Sequence, residues 1–194
     1  MNRTNSLSGL SLLQTARVDG GAGIDTLRIA ASGGDLNISN IKNVAAGGPD
    51  GGSRISSIEK IDLASDAAAN TLTLSLQDVV DMTGMNLFNT STTGWANATG
   101  TALSAVERKH QLVINGNAAA AASGSAPQLF LDNVDIVGFA ASGETNVWTK
   151  ELVSGTSNAA TVTHTVGGVA TTYEVWNHNS AAAQLLIQQG VSVI

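Results

Sequence analysis

The sequence predicts an all-β protein: an irregular parallel β-roll or β-solenoid at the start, passing into antiparallel strands, with one or two short helices. Three observations predict it. Residues 20–28 read Gly-Gly-Ala-Gly-Ile-Asp-Thr-Leu-Arg, a full match to the G-G-x-G-x-D-x-U-x nonapeptide of parallel β-rolls. Short segments alternate apolar and polar residues with period two, as in Leu72, Leu74 and Leu76 against Thr71, Thr73 and Ser75, the mark of a half-buried strand. Hydrophobic residues make up 43% of the chain but aromatics only 4% and charges only 12%, with 21 Gly and 2 Pro, so the apolar mass is Ala, Val, Leu and Ile. Small and β-branched residues with Gly and Asn at the corners suit repetitive β-structure.

Residues 1–17 read as a leader or linker, because Met1 to Leu13 carries one Arg, a Ser- and Gly-interrupted apolar patch and no small-residue cleavage site. Residues 18–194 form one elongated β domain, solenoid-like over 18–116 and antiparallel over 117–194. Within it, two stretches resemble each other. Ile24–Ala30 leads through Gly33-Gly34 into Asp35–Ile41, and Ile58–Leu63 leads through Asp66 and alanines into Asn70–Ser75. A third pair is His110–Ile114 followed by Gln128–Leu131 and Val134–Val137. The spacing drifts, so any solenoid is irregular.

Ser75-Leu-Gln-Asp78 has capping-box spacing, with Val79, Val80 and Met82 as apolar positions and Gly84 as a stop, which predicts a helix. Ser104 and Glu107 repeat that spacing and predict a second short helix over 101–109. The stretches 44–54, 89–100, 117–127 and 154–160 are rich in Gly, Ala, Asn, Ser and Thr and read as mobile loops. Thr161–Val166, Gly167-Gly168 and Val169–Trp176 read as a hairpin. Gln184–Gln188 and Val191–Ile194 read as a closing strand pair.

Charge narrows the function. The net charge is −6, and no basic residue lies between Lys60 and Arg108, where Asp62, Asp66, Asp78 and Asp81 all fall. Such a surface repels nucleic acid and anionic lipid and attracts cations. There is no cysteine, so disulfides and thiolate chemistry are excluded, and calcium is the natural substitute for disulfides in a secreted chain. No stretch reaches about 18 uninterrupted apolar residues, so no membrane span is expected.

In a tandem roll, glycines make the tight turn and expose carbonyl oxygens, the Asp adds a carboxylate, and the apolar residue two later points inward. One copy fits two readings, a calcium turn and a bare Gly-rich turn. On the calcium reading the ligands are Asp25, Asp19, Gly21 and Gly23, with Asp50 of Gly47-Gly-Pro-Asp-Gly-Gly52 facing them from a second Gly-rich loop. On the bland one, Asp50 simply favours the turn after Pro49. Asp62 and Asp66 read as turn residues at a strand end, and Asp78 as the cap of its own helix. His110, His164 and His178 lack any metal-binding spacing, and His164 and His178 read as surface residues. Trp95 and Trp148 fit either a glycan platform or core filling, whereas Trp176 reads as core. No G-x-S-x-G, H-E-x-x-H or P-loop is present, so the chain is expected not to be an enzyme.

The succession Asp19-Gly-Gly-Ala-Gly-Ile-Asp-Thr-Leu, Ile55-Ser-Ser-Ile-Glu-Lys-Ile-Asp-Leu63, Asn70–Met82 and Leu112-Val-Ile-Asn-Gly116 resembles the C-terminal region of giant bacterial repeats-in-toxin (RTX) adhesins. The ending, Tyr173-Glu-Val-Trp-Asn-His-Asn-Ser with Leu185-Leu-Ile-Gln-Gln-Gly-Val, is similar to theirs as well. The resemblance covers most of the chain from about residue 18, more weakly at 89–107 and 117–160. It implies an extracellular module at the bacterial cell surface, exported by a type I secretion system through an uncleaved C-terminal signal and folded on meeting calcium, with roles in cell adhesion and biofilm. Its partners would be the type I machinery and neighbouring adhesin domains. The function that follows is a non-catalytic C-terminal folding and export domain, with a glycan- or peptide-binding module as the alternative. The chain departs from that family by carrying one nonapeptide instead of an array.

Overall fold

Alternation along each short strand sets which side chains turn inward, and the strands stack by their matching inward positions. The computed structural model describes residues 18–29, 33–41, 55–64, 68–117, 132–137 and 146–194. Asp50, Asp66 and the expected strand at 128–131 lie outside them. In chain order the first elements are β1 (Val18–Asp19), β2 (Thr26–Arg28), β3 (Asp35–Asn37), β4 (Ile55–Ser56), β5 (Lys60–Asp62), β6 (Thr71–Leu74) and helix α1 (Leu76–Met82). Then come β7 (Trp95–Thr99), β8 (His110–Asn115), β9 (Asn133–Ile136), β10 (Trp148–Lys150), β11 (Thr161–Val166), β12 (Val169–His178), β13 (Ala183–Gln188) and β14 (Ser192–Val193). The class is all-β with one helix among the described residues.

Three sheets result. The largest is mixed: β2, β5, β8 and β13 run parallel, then β12, β11 and β7 continue antiparallel, and β10 also pairs with β12. The second, β3, β6, β9 and β14, is parallel throughout. The third is the short parallel pair β1 and β4. In the parallel runs of the first two, strands stack in chain order, and register aligns like with like. Leu27 pairs with Ile61, Ile61 with Ile114 and Ile114 with Ile187. In the second sheet Leu36, Leu72, Val134 and Val193 form the equivalent row. Both rows belong to one aliphatic core, in which full burial of a Leu or Ile stabilises by about 1.5–3 kcal/mol.

A polar knot joins the strands at the corner before the second sheet. Asn70 and Asp132 are fully buried. The Asn70 amide nitrogen donates to Asp132 Oδ1 (3.0 Å) and to the Leu63 and Ala68 carbonyls, while its Oδ1 accepts from Gly34 N (2.9 Å). The backbone N–H groups of Asn70 and Asn117 also donate to the Asp132 carboxylate. A buried carboxylate is tolerated when its oxygens are satisfied in this way.

Helix α1 forms where the capping box predicts. Ser75 is the N-cap, its hydroxyl accepts from Asp78 N, and Asp78 accepts from Ser75 N (2.7 Å). Val79 and Met82 are buried against the core. The Gly167-Gly168 hairpin also forms as expected, with Val166 opposite Val169.

Other expectations are corrected. Residues 101–109 are irregular, not helical. Ser104 Oγ donates to the Val106 carbonyl, Leu103 is pinned in the core by two hydrogen bonds to Asn97, and Val106 is 61% exposed, so no apolar stripe supports a helix. The stretch 89–100 is not a loose loop: Trp95–Thr99 is strand β7, reached through bonds from Thr92 N to Asn89 O and Trp95 N to Thr92 O. Within 154–160, Ala159 bridges back to Leu152. The last two strands do not pair with each other. Strand β13 lies between β12 and β8, β14 pairs with β9, and both β8 and β9 are parallel partners. The antiparallel part is thus β7 and β10–β12, with the terminal strands returning to the parallel stacks, where their apolar residues complete the inward rows.

Candidate metal centre and the outer aromatic face

The nonapeptide turn is shaped by its glycines. A Cβ on Gly20 would lie 1.9 Å from the Ser57 carbonyl oxygen and 2.6 Å from the Asp25 Cβ, so only glycine fits where the first turn crosses the second. Gly20 N donates to Ser56 O (3.0 Å) at that crossing. Gly21 and Gly23 have φ of +89° and +118°, the left-handed side of backbone space that favours glycine. Both are exposed, as is Asp19, whose Oδ1 accepts from Gly21 N (3.1 Å) and closes the turn.

Asp25 sits at the inner end of this turn. Its carbonyl accepts from Glu59 N and Lys60 N, and its own N–H donates to Glu59 Oε2 (2.8 Å). Asp25 Oδ2 is buried and has no hydrogen-bond partner. Glu59 is itself buried. Burial pushes its carboxyl above the usual range, and the neighbouring Asp25 charge adds to that. The structure therefore brings Asp25 and Glu59 together. Asp19 stands outside this pair on the exposed turn, and Asp50 lies beyond the described residues.

Glu59 was not singled out from the sequence. A usable signal exists: in Ile58-Glu-Lys-Ile61, period two puts Glu59 on the same inward side as Ile61, an unusual place for a carboxylate. The donor set suits a hard cation as far as it goes, with an orphaned carboxylate oxygen, a second carboxylate and exposed Gly-turn backbone. Among the described residues, however, no group of three or more His, Cys, Asp or Glu converges.

Trp95 and Trp148 are not exposed platforms; they are 4% and 1% exposed. Trp148 meets the His178 ring edge-on at 5.3 Å, and Trp176 is core as expected, with Lys150 Nζ 5.0 Å from its ring centre. His178 is buried rather than superficial; its Nδ1 accepts from Ala181 N (3.1 Å), and burial lowers its basicity.

Trp95 centres a second core on the outer face of the mixed sheet, with Phe88, Leu103, Val113, Val162, Tyr173, Val175 and Leu186. Its ring lies 5.1 Å from Phe88 and 5.4 Å from Tyr173. His164 stacks on it at 4.5 Å, nearly parallel at 13°. Lys60 Nζ stands 5.8 Å from the Phe88 ring centre. Tyr173 donates to Asn115 Oδ1 (2.9 Å), and burial raises its phenol. Nothing in the sequence marked this cluster, because its members come from β7, β8, β11, β12 and β13 and from the irregular segments that carry Phe88 and Leu103.

No family model, curated protein or solved structure matches the chain. Among the described residues no helix is long and apolar enough to cross a membrane.

Proposed function

We propose that this chain is a non-catalytic structural module of a large calcium-dependent bacterial adhesin, acting at the cell surface as its C-terminal folding and export unit. The observation that carries the proposal is the stacking order. Strands β2, β5, β8 and β13 and strands β3, β6, β9 and β14 pair in parallel and in the same succession. That succession supports reading the chain as four irregular coils of a roll, with α1–β7 and β10–β12 inserted between coils. Such a body offers length, edges and loops, and serves as a spacer joined to neighbouring adhesin domains.

Calcium fits the first coil. Asp25 would supply the carboxylate oxygen that has no protein partner, with Glu59 beside it and Asp19, Gly21 and Gly23 on the turn; Asp50 remains a ligand by sequence alone. A bound divalent ion would neutralise two crowded carboxylates and so couple folding to leaving the calcium-poor cytosol through a type I exporter.

Thermal melting in chelator and in millimolar calcium tests this. We expect calcium to raise the melting temperature and magnesium to substitute poorly, since magnesium demands a tighter octahedral shell. Asp25→Ala should remove most of the response, whereas Asp35→Asn, on an exposed strand position, should keep it. Superimposable melts of the native chain with and without calcium would rule out the metal-coupled reading.

A further inference from the structure

We propose that Lys109 and Asn177 become joined by an intramolecular isopeptide bond, made by the side chains around them with loss of ammonia. The site lies on the mixed sheet, and its argument is independent of the calcium turn and of the adhesin reading.

Strand order brings the two side chains together. Lys109 immediately precedes β8, Asn177 lies near the end of β12, and β13 runs between those strands. Register sets a polar row across them: Gln111 is opposite Gln184, Gln184 opposite Asn177, and Asn177 opposite Thr149 of β10. Gln111 and Gln184 are fully buried. They are also chained, for Gln111 Nε2 donates to Gln184 Oε1 (2.8 Å) and Gln184 Nε2 donates to Asn177 Oδ1 (3.1 Å). The Asn177 amide is thus held in place by a buried donor. Lys109 Nζ donates to the same oxygen at 2.8 Å, so the carbon it would attack, Cγ, is one bond beyond the atom it already touches. Two groups held this close react as if at very high concentration.

Two carboxylates complete the set. Glu107 is buried, and its Oε1 lies 3.6 Å from Lys109 Nζ. Glu151 follows β10, and its Oε2 accepts from Asn177 Nδ2 at 2.8 Å. One carboxylate therefore stands at the attacking nitrogen and another at the leaving nitrogen, with the Gln184 N–H on the oxygen between them. An ordinary ion pair needs only the first of these contacts.

That arrangement fits amide exchange. The Glu107 carboxylate takes one proton from the Lys109 ammonium, and the freed lone pair forms the Nζ–Cγ bond. The carbonyl electron pair moves onto Oδ1, where the Gln184 N–H stabilises the oxyanion. From the tetrahedral intermediate, the Glu151 carboxylate takes a second Nζ proton and passes it to Nδ2. The carbonyl re-forms, the Cγ–Nδ2 bond breaks, and its electron pair leaves on ammonia, which takes up the Glu107 proton as ammonium. One alkylammonium and one primary amide thus become one secondary amide and one ammonium ion, and no other reactant is consumed. The bond would tie β8 to β12 across β13, between positions 68 residues apart. In a chain without cysteine, it would supply the covalent closure that a disulfide gives elsewhere, chiefly by constraining the unfolded chain.

Mass spectrometry of the intact, folded chain tests this. Its denatured mass should fall short of the sequence mass by one ammonia. Trypsin should release residues 109–150 and 151–194 as one branched species, since an acylated Lys109 no longer directs cleavage. Lys109→Arg should keep its full mass and yield the fragments apart. Glu151→Gln should slow the loss of ammonia after synthesis about a hundredfold, the ordinary worth of one acid–base group, and Arg28→Gln should leave it unchanged. Closure of Glu151→Gln at the native rate would overturn the role given to that carboxylate. The full sequence mass in the folded native chain overturns the proposal, and so does a loss of ammonia with the two fragments separate, as a succinimide at Asn115-Gly116 would give. Both of those readouts come from the native chain and stand even if a variant fails to fold.

Discussion

Inside the parallel strands, Ile61 lies between Leu27 and Ile114, each supplied by the equivalent position of another segment. Outside them, Trp95 lies against Phe88, His164 and Tyr173, drawn from unrelated stretches of chain. The inner core repeats one solution, an aliphatic residue over an aliphatic residue in register. The outer core is assembled once, from side chains with no counterpart elsewhere. A repeated contact is buffered, because neighbouring rows remain when one member is cut back. A contact made once has no such reserve, and the antiparallel strands that depend on it should respond more sharply and more locally.

The largest effect should come from the outer core. Trp95→Ala removes the side chain on which three rings converge and should cost about 3–5 kcal/mol in urea unfolding. Amide protection should fall in β7 and β11 while β6 and β9 stay protected. Loss of protection spread evenly over both sheets would show that the two cores melt as one unit and end the contrast.

Leu72→Ala should come next, at about 2–5 kcal/mol and toward the low end. Its row neighbours Leu36 and Val134 can close on the space, and Leu74 keeps its own partner, Ile136. Here protection should fall in β3, β6 and β9 together. A cost above that of Trp95→Ala would contradict the idea that repetition buffers the inner core.

A smaller effect should appear with pH. Burial lowers the folded-state basicity of His178, and its Nδ1 accepts a backbone N–H; protonation there would set donor against donor. The unfolded state takes up its proton near the ordinary value of about 6.5, before the folded state does. This contribution to stability is therefore present above that pH and is lost as pH falls through the lowered folded value. Urea midpoints measured from pH 8 to pH 5 should decline, and His178→Gln should flatten the decline. His164 works in the same direction and the raised carboxyl of Glu59 against it, so the difference between the native and His178→Gln slopes is what isolates His178.

The same contrast explains what could be read from the sequence. The self-similar segments Ile24–Ala30 and Ile58–Leu63, and Asp35–Ile41 and Asn70–Ser75, were visible by alternation, and their strands are direct neighbours in the two sheets. The capping box at Ser75 was visible because Val79 and Met82 follow it with a face to bury. The same spacing at Ser104 misled, because Val106 has nothing to pack on. Partner choice for β13 and β14 was not visible: an apolar strand states that it is buried, not which edge it joins. Neither was the meeting of Glu59 with Asp25, or of His164 with Trp95. Those contacts exist only once distant strands are in register, and a single sequence without repetition carries no local trace of them.

One consequence belongs to Asn70. An aliphatic row tolerates misalignment, for if one strand slid two residues past its neighbour, Leu would still meet Leu or Ile and the interior would stay oily. Asn70 does not tolerate it. Its carbonyl oxygen takes the N–H of Gly34 from the segment before, and its NH2 reaches the Asp132 carboxylate from the segment after. A two-residue slip would leave a buried amide and a buried carboxylate unmatched, at a cost well beyond what grease could restore. The Asn70–Asp132 pair thus works like a keyed connector: the leucines say that the pieces join, and the amide says at which notch.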